Sequence, residues 1–165
     1  MKPRILIVAY GNPLRSDDSF AWHAANLLRG KWSADDVDLI CAHQLTPDLA
    51  ERISHAESVL FLDARANGNP GHISCTLVPP HTDSPACSHM LSPSQLMELS
   101  RQLYGATPEG YVLSVTGESF IHGEELSQKV KNAMPQAVET VDRLIRDILQ
   151  RPIETLPCGA GRGWT

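Results

Sequence analysis

Residues 5–28 read ILIVAYGNPLRSDDSFAWHAANLL, and this stretch decides the fold. The apolar run from Ile5 to Ala9 predicts a buried strand, because it is short and rich in Ile and Val and turn residues follow at once. Residues 10–16 predict a tight turn. Residues 18–28 predict an amphipathic helix, since small and apolar side chains recur there at helical spacing. These side chains are Ala21, Ala24, Ala25 and Leu28.

Two acids, Asp17 and Asp18, stand where the turn meets this helix. Ser16 or Asp17 is predicted to cap the helix, and acids favour its first turn. Both carboxylates then lie just past the carboxyl end of the first strand. In open α/β sheets ligands bind at that edge, so this corner is the predicted functional site.

The rest of the chain continues the alternation of short apolar strands and longer helical segments. Further strands are predicted at residues 37–42, 59–62, 73–78 and 111–115, and further helices at 47–53, 92–104 and 126–149. This order predicts a three-layer αβα sandwich, with a twisted, mostly parallel sheet of about five strands and helices on both faces. Residues 1–150 are predicted to form one α/β domain, and residues 151–165 a flexible tail.

Local signals add detail to three of the helices. Thr46 is predicted to cap a helix that has Pro47 at its first position. Ser92 and Pro93 are predicted to begin another helix, whose inner face comprises Leu96, Leu99 and Leu103. Pro135 is predicted to kink or divide the last helix. The inner face of that helix is predicted at Leu126, Val130, Val138, Val141, Ile145 and Ile148.

Composition limits the possible functions. The 165 residues carry a formal net charge of −5, which argues against nucleic acid or an anionic membrane as the main partner. No apolar run approaches the roughly 18 residues that a membrane span needs. The four cysteines form no CxxC pair, so they predict reduced, mostly buried thiols rather than a zinc site. The first apolar run is too short for a signal peptide and polar residues follow it directly, so a cytoplasmic location is expected. A monomer is expected because no long exposed apolar stripe stands out.

Three side chains are predicted at one edge of the sheet: Asp18 after the first strand, Asp63 after the third, and His89 before a helix. Two carboxylates and an imidazole form a mixed ligand set that suits a borderline divalent metal with open positions. Each residue alone also has an ordinary structural interpretation. Asp18 can stabilise a helix start, Asp63 can begin a turn, and His89 can be a solvated loop histidine.

Several familiar catalytic and binding motifs are absent from the sequence. Gly11-Asn12-Pro13 after the first strand is not GxGxxG, and Pro13 lacks the N–H that a phosphate needs. There is no GxxxxGK[ST] loop. The segment Gly117-Glu118-Ser119 lacks the second glycine of a GxSxG nucleophile turn.

The sequence resembles the hydrogenase maturation protease family, the endopeptidases that finish nickel–iron hydrogenase large subunits. The resemblance rests on short motifs in the family's order: GNPLRSDD at 11–18, HQLTPDLAE at 43–51, FLDA at 61–64, Pro70-Gly71, SHMLSP at 88–93 and GEELS at 123–127. It implies that Asp18, Asp63 and His89 contact nickel that belongs to the large-subunit precursor. It also implies that the protein then removes a C-terminal extension from that precursor.

The family usually has the pattern D-[DE]-G-x-G, whereas Ser19 and Ala21 take the places of the two glycines here. Both residues are small, so close backbone approach is expected to remain possible. The mechanism stays open at this point: metal can polarise the carbonyl or a water, or Asp18 can act as general base. Asp17 is assigned to orienting the turn through backbone hydrogen bonds. The alternatives are a nickel-site checkpoint chaperone that does not cleave, and a metal-dependent hydrolase of small substrates.

Overall fold

A five-stranded sheet forms the centre of the molecule. The computed structural model describes residues 3–79 and 90–152. The strands are Ile5–Tyr10 (β1), Val37–Ala42 (β2), Ser58–Arg65 (β3), Ile73–Leu77 (β4) and Glu109–Thr116 (β5), in the order β2-β1-β3-β5-β4. Strands β2, β1, β3 and β5 are parallel, and β4 lies antiparallel at an edge. The predicted mostly parallel sheet is confirmed.

Helices cover both faces of this sheet. They are Phe20–Leu28 (α1), Leu49–Ser54 (α2), Pro93–Tyr104 (α3) and Gln128–Gln150 (α4). Side chains on one face of β1 pack with α1 and α4, and those on the other face pack with α2 and α3. β1 is a central strand of a parallel sheet, so both of its faces are buried and both carry apolar side chains. The predicted three-layer αβα sandwich is therefore confirmed.

The buried faces of α1 and α4 were predicted more accurately than the positions where the helices begin and end. All six residues predicted for the inner face around α4 are buried, as are the four predicted for α1. None of the helices in the described ranges is both long enough and apolar enough to cross a bilayer.

Three local predictions about the helices were wrong, and a fourth was wrong in part. α1 begins at Phe20 after a 3₁₀ turn at Ser16–Ser19, and no side chain caps it. α2 begins at Leu49, so Thr46 is not its cap. Leu103 is 61% exposed, because it lies in the last turn of α3, past Leu96 and Leu99, which pack into the core. Pro135 does not divide α4, which is one continuous helix: burial of its apolar face outweighs the one backbone hydrogen bond that proline removes.

Candidate functional site

The carboxyl ends of β1 and β3 form the topological switch point of the sheet. From β1 the chain moves outward to β2, and it then returns to β3 on the other side of β1. Such a point leaves a crevice at the carboxyl edge. Residues 5–9 of β1 pair with residues 58–62 of β3, but the last three residues of β3 pair only with β5. β3 thus extends past the end of β1 at the carboxyl edge of the sheet, close to Asp63.

Asp63 lies within β3, and the prediction that it follows the strand was wrong. Strand alternation puts Asp63 on the same face of the sheet as Phe61, and it puts Tyr10 on the same face as Val8. Burial raises the pKa of Asp63 to about 6; a hydrogen bond from the Tyr10 hydroxyl opposes that rise, and the nearby Asp18 carboxylate adds to it. Burial and the same two carboxylates raise the pKa of Tyr10 well above its usual value.

Asp18 lies near Asp63, in the loop that follows β1. Its Oδ2 accepts a hydrogen bond of 2.8 Å from the backbone N–H of Asn12, which closes the loop on itself. Gly11 makes this closure possible: its φ is 146°, and a Cβ there would lie 2.1 Å from the Asp18 carbonyl oxygen. The indole of Trp22 donates to the Gly11 carbonyl at 2.8 Å and fixes the loop from α1.

Asp17 has a different task from its neighbour. Its side chain is fully buried, and it accepts hydrogen bonds from the backbone N–H groups of Glu118, Ser119 and Ser127 at 2.7–3.0 Å. Burial alone would raise the pKa of Asp17, but these hydrogen bonds to the carboxylate lower it below its usual value. Asp17 therefore fastens the Asp18 loop to a loop about a hundred residues away in sequence.

Ser19 and Ala21, which replace the two glycines of the D-[DE]-G-x-G pattern, lie where the backbone does not need a glycine. Ser19 has φ −80°, and Ala21 is a buried residue inside α1. The one positive φ outside glycine in the described ranges belongs to Ser16, at 47°. Its N–H donates to the Gly123 carbonyl, and its hydroxyl donates to the Ile121 carbonyl, so the second loop holds it in this conformation.

The structure brings together two of the three predicted site residues, Asp18 and Asp63. His89 lies outside the described residues. α3, which begins four residues after His89 in sequence, packs on the face of the sheet that carries Tyr10 and Asp63. Within residues 3–79 and 90–152, no group of three His, Cys, Asp or Glu side chains could hold a metal ion. Two carboxylates at an open edge suit a cation that arrives with other ligands of its own.

Sequence reasoning missed Tyr10 as part of the site. The strand was predicted to end at Ala9, but β1 includes Tyr10. The signal was present in the alternation: residues 6, 8 and 10 of β1 and residues 59, 61 and 63 of β3 share one face. Because the two strands are adjacent and parallel, their last members on that face are neighbours at the carboxyl edge.

The raised pKa of Asp63 predicts that this carboxylate destabilises the fold at neutral pH. A folded-state pKa of about 6 against an ordinary 3.8 favours the protonated form in the folded protein. The resulting stabilisation is fully present below pH 4 and is lost as the pH rises through 6. We expect Asp63→Asn to raise the free energy of unfolding at pH 8 by roughly 1–3 kcal/mol. Urea unfolding between pH 4 and pH 8 measures this gain.

The exposed residue Asp48 provides the control, since Asp48→Asn changes the net charge equally. Its stability difference from the wild type shows what the loss of one exposed negative charge alone does over the same pH range. A lower stability of Asp63→Asn than of the wild type at pH 8 would contradict the electrostatic account of the site.

Comparison with known proteins establishes the fold. The sequence matches no protein-family model and no curated protein. The structure is similar to the hydrogenase maturating endopeptidase HybD from E. coli, with a TM-score of 0.74, 20% identity, and coverage of 87% of this chain and 93% of that one. It is also similar to the [NiFe] hydrogenase maturation protease HycI from Thermococcus kodakarensis, with a TM-score of 0.70, 21% identity, and coverage of 88% and 94%.

A third similar structure is the hydrogenase 2 maturation peptidase from Thaumarchaeota archaeon SCGC_AB-539-E09. The TM-score is 0.63 and the identity 24%, over 86% of this chain and 97% of that one. The matches span nearly the full length of the solved proteins, so the similarity covers the whole fold and not one motif. The chain has the fold of hydrogenase maturation endopeptidases.

Proposed function

We propose that this protein is an endopeptidase that removes a C-terminal extension from the nickel-loaded precursor of a nickel–iron hydrogenase large subunit. The observation that carries the proposal is the meeting of Asp18 and Asp63 at the switch-point edge. A pair of carboxylates at this edge is set up for acid–base chemistry or for contact with a cation. The full-length similarity to maturation peptidases supports the choice of substrate.

Nickel belongs to the substrate in this proposal. Asp18, Asp63 and His89 would contact the precursor's nickel, which would supply Lewis acidity close to the scissile peptide bond. The precursor would provide the remaining ligands, because two carboxylates and one imidazole leave coordination positions open. Contact with the metal would thus be weak until the precursor docks, which lets the protein distinguish loaded from empty precursor.

The side chains of this protein have separate roles in the proposed hydrolysis. Asp18 is the general base: the Asn12 N–H orients its carboxylate through Oδ2, and it accepts a proton from the attacking water. The water oxygen bonds to the scissile carbonyl carbon, the C–N bond breaks, and the proton passes to the leaving nitrogen. The Tyr10 hydroxyl orients the Asp63 carboxylate beside this centre.

Incubation of a nickel-loaded large-subunit precursor with the protein tests this proposal. We expect the precursor's intact mass to fall by the mass of its C-terminal extension, while precursor without nickel stays uncut. Mass spectrometry measures both outcomes, and boiled protein is the blank.

The same experiment separates the two alternatives. A checkpoint chaperone would form a complex with the precursor and leave its mass unchanged. A hydrolase of small substrates would cleave simple esters or amides without any hydrogenase subunit. Either result, together with a nickel-loaded precursor that stays uncut, would overturn the endopeptidase proposal. A further part of the proposal is that the protein works as a cytoplasmic monomer, in keeping with its cysteine usage.

A further inference from the structure

The outer face of α1 differs from an ordinary solvent-facing helix surface. The nine residues of α1 include no Lys, Arg, Asp or Glu, although His23, Asn26 and Leu27 are exposed. Surface helices of soluble proteins usually carry charges on the outer side. α4 follows that rule, with charged residues such as Lys129 and Glu139 among its exposed positions. The bare face of α1 is therefore a local feature and does not reflect the composition of the whole chain.

This face continues into the loop that carries Asp18. A groove of about 330 Å³ runs past Leu14, Trp22 and His23, and a second groove of about 330 Å³ runs past His23, Leu27 and Met134. The two grooves share His23 and Asn26 as lining residues, so they lie side by side on α1. We call Leu14, His23, Asn26 and Leu27 the α1 strip. Leu14 is 47% exposed and Leu27 is 52% exposed, and these two leucines lie toward opposite ends of the strip.

From these observations we infer that the α1 strip is a docking surface for an uncharged, partly apolar segment of the large-subunit precursor. The inference rests on the proposed function. Its strongest support is continuity with the candidate site, since Leu14 and Asp18 belong to one closed loop. A polypeptide held at Asp18 passes beside Leu14 and can continue along α1.

The chemistry of the strip and its margins fits a protein partner. The chain has a net charge of −5, yet the strip has no formal charge. Charges stand at its margins, with Glu124 beside the first groove and Lys131 beside the second. A centre depleted in charge with a polar rim is the usual composition of a protein–protein interface. A second copy of this chain on the strip would cover Leu14 and obstruct the Asp18 edge, so the precursor is the better occupant.

Substituting Leu27 tests the inference, because Leu27 lies at the far end of the strip from the carboxylates. We expect Leu27→Asp to raise KM for the nickel-loaded precursor at least about tenfold and to leave kcat within about twofold. Leu27→Gln, which adds no charge, is expected to raise KM by a smaller factor. The matched control is Leu103→Asp on α3, since Leu103 is similarly exposed on the other face of the sheet. This control is expected to change neither constant.

The possible outcomes separate this inference from the proposed function. If the wild type cleaves the precursor and Leu27→Asp has an unchanged KM, the docking surface is wrong and the proposed function stands. If the free wild-type chain sediments as a dimer that Leu27→Asp dissociates, the strip is a self-association surface and the inference is also overturned. If the wild type cleaves no precursor, the proposed function fails and the inference falls with it.

Discussion

Replacing Asp18 or Asp63 by asparagine is expected to slow cleavage of the nickel-loaded precursor by about 10²–10⁴-fold. In Asp18→Asn the side-chain carbonyl would still accept the Asn12 N–H, so the loop would keep its closure, but the amide cannot take a proton from water. Asp63→Asn would keep an acceptor for the Tyr10 hydroxyl, but it would remove one of the two negative charges that face the substrate. Single-turnover cleavage, followed by the mass of the precursor, measures both variants.

The controls address charge and folding separately. Asp48→Asn changes the net charge by the same amount at an exposed position and is expected to cleave at the wild-type rate. Asp63→Asn is expected to be at least as stable as the wild type at pH 8, so its loss of activity would not reflect unfolding. If both asparagine variants cleave within a few-fold of the wild type, the two carboxylates are not the catalytic pair. If Asp18 and Asp63 act on the same catalytic step, the variant with both substitutions is expected to cleave only a little more slowly than the slower single variant.

The parts of the fold that follow from local patterns could be predicted from the sequence. β2 begins at Val37 and ends at Ala42, as predicted, because an apolar run bounded by turn residues carries its own limits. The Ser92 cap of α3 was also predictable, and Gln95 completes a capping box there. The proximity of Asp18 and Asp63 could also be predicted, since adjacent parallel strands bring their carboxyl ends to one edge of the sheet.

The features that the sequence did not show depend on contacts between distant segments. β3 continues through Asp63 to Arg65 because β5 provides hydrogen-bonding partners there, and no local pattern reveals the length of a neighbouring strand. Ser16 was predicted as a helix cap, yet Gly123 and Ile121 hold it in a left-handed conformation. Helix capping is a local preference, and these long-range hydrogen bonds override it.

Asp17 was predicted to orient its own turn, whereas in the structure it fastens that turn to a distant loop. Asp17→Ala is therefore expected to lower the free energy of unfolding by about 2–4 kcal/mol. The alanine would leave three backbone N–H groups without their charged acceptor, in a place where Gly117 lies against the Asp17 side chain. For a chain of this length that loss corresponds to a fall of roughly 10 °C in Tm. Asp17→Asn is expected to behave similarly, because its NH₂ group would face backbone donors.

The pH dependence of this stability loss shows whether the Asp17 carboxylate causes it. Hydrogen bonds lower the folded-state pKa of Asp17, so its stabilising effect is present above the ordinary carboxyl pKa and is lost as the pH falls through the lower folded-state value. The stability difference between the wild type and Asp17→Ala is therefore expected to be full at pH 7 and to shrink below about pH 4. Asp38→Ala, which removes a surface ion pair with Arg52, is the control and is expected to lose less than about 1 kcal/mol.

Cleavage by the Asp17 variants then separates anchoring from chemistry. Since Asp17 ties the Ser16–Ser19 turn to the loop at residues 117–127, its loss frees the turn that carries Asp18. We expect Asp17→Ala to lower kcat and to regain part of it at reduced temperature, where the loosened turn spends more time in its native position. A catalytic role would instead give a loss that cooling does not relieve. Wild-type activity together with a stability loss below about 1 kcal/mol would show that the two loops hold each other without Asp17.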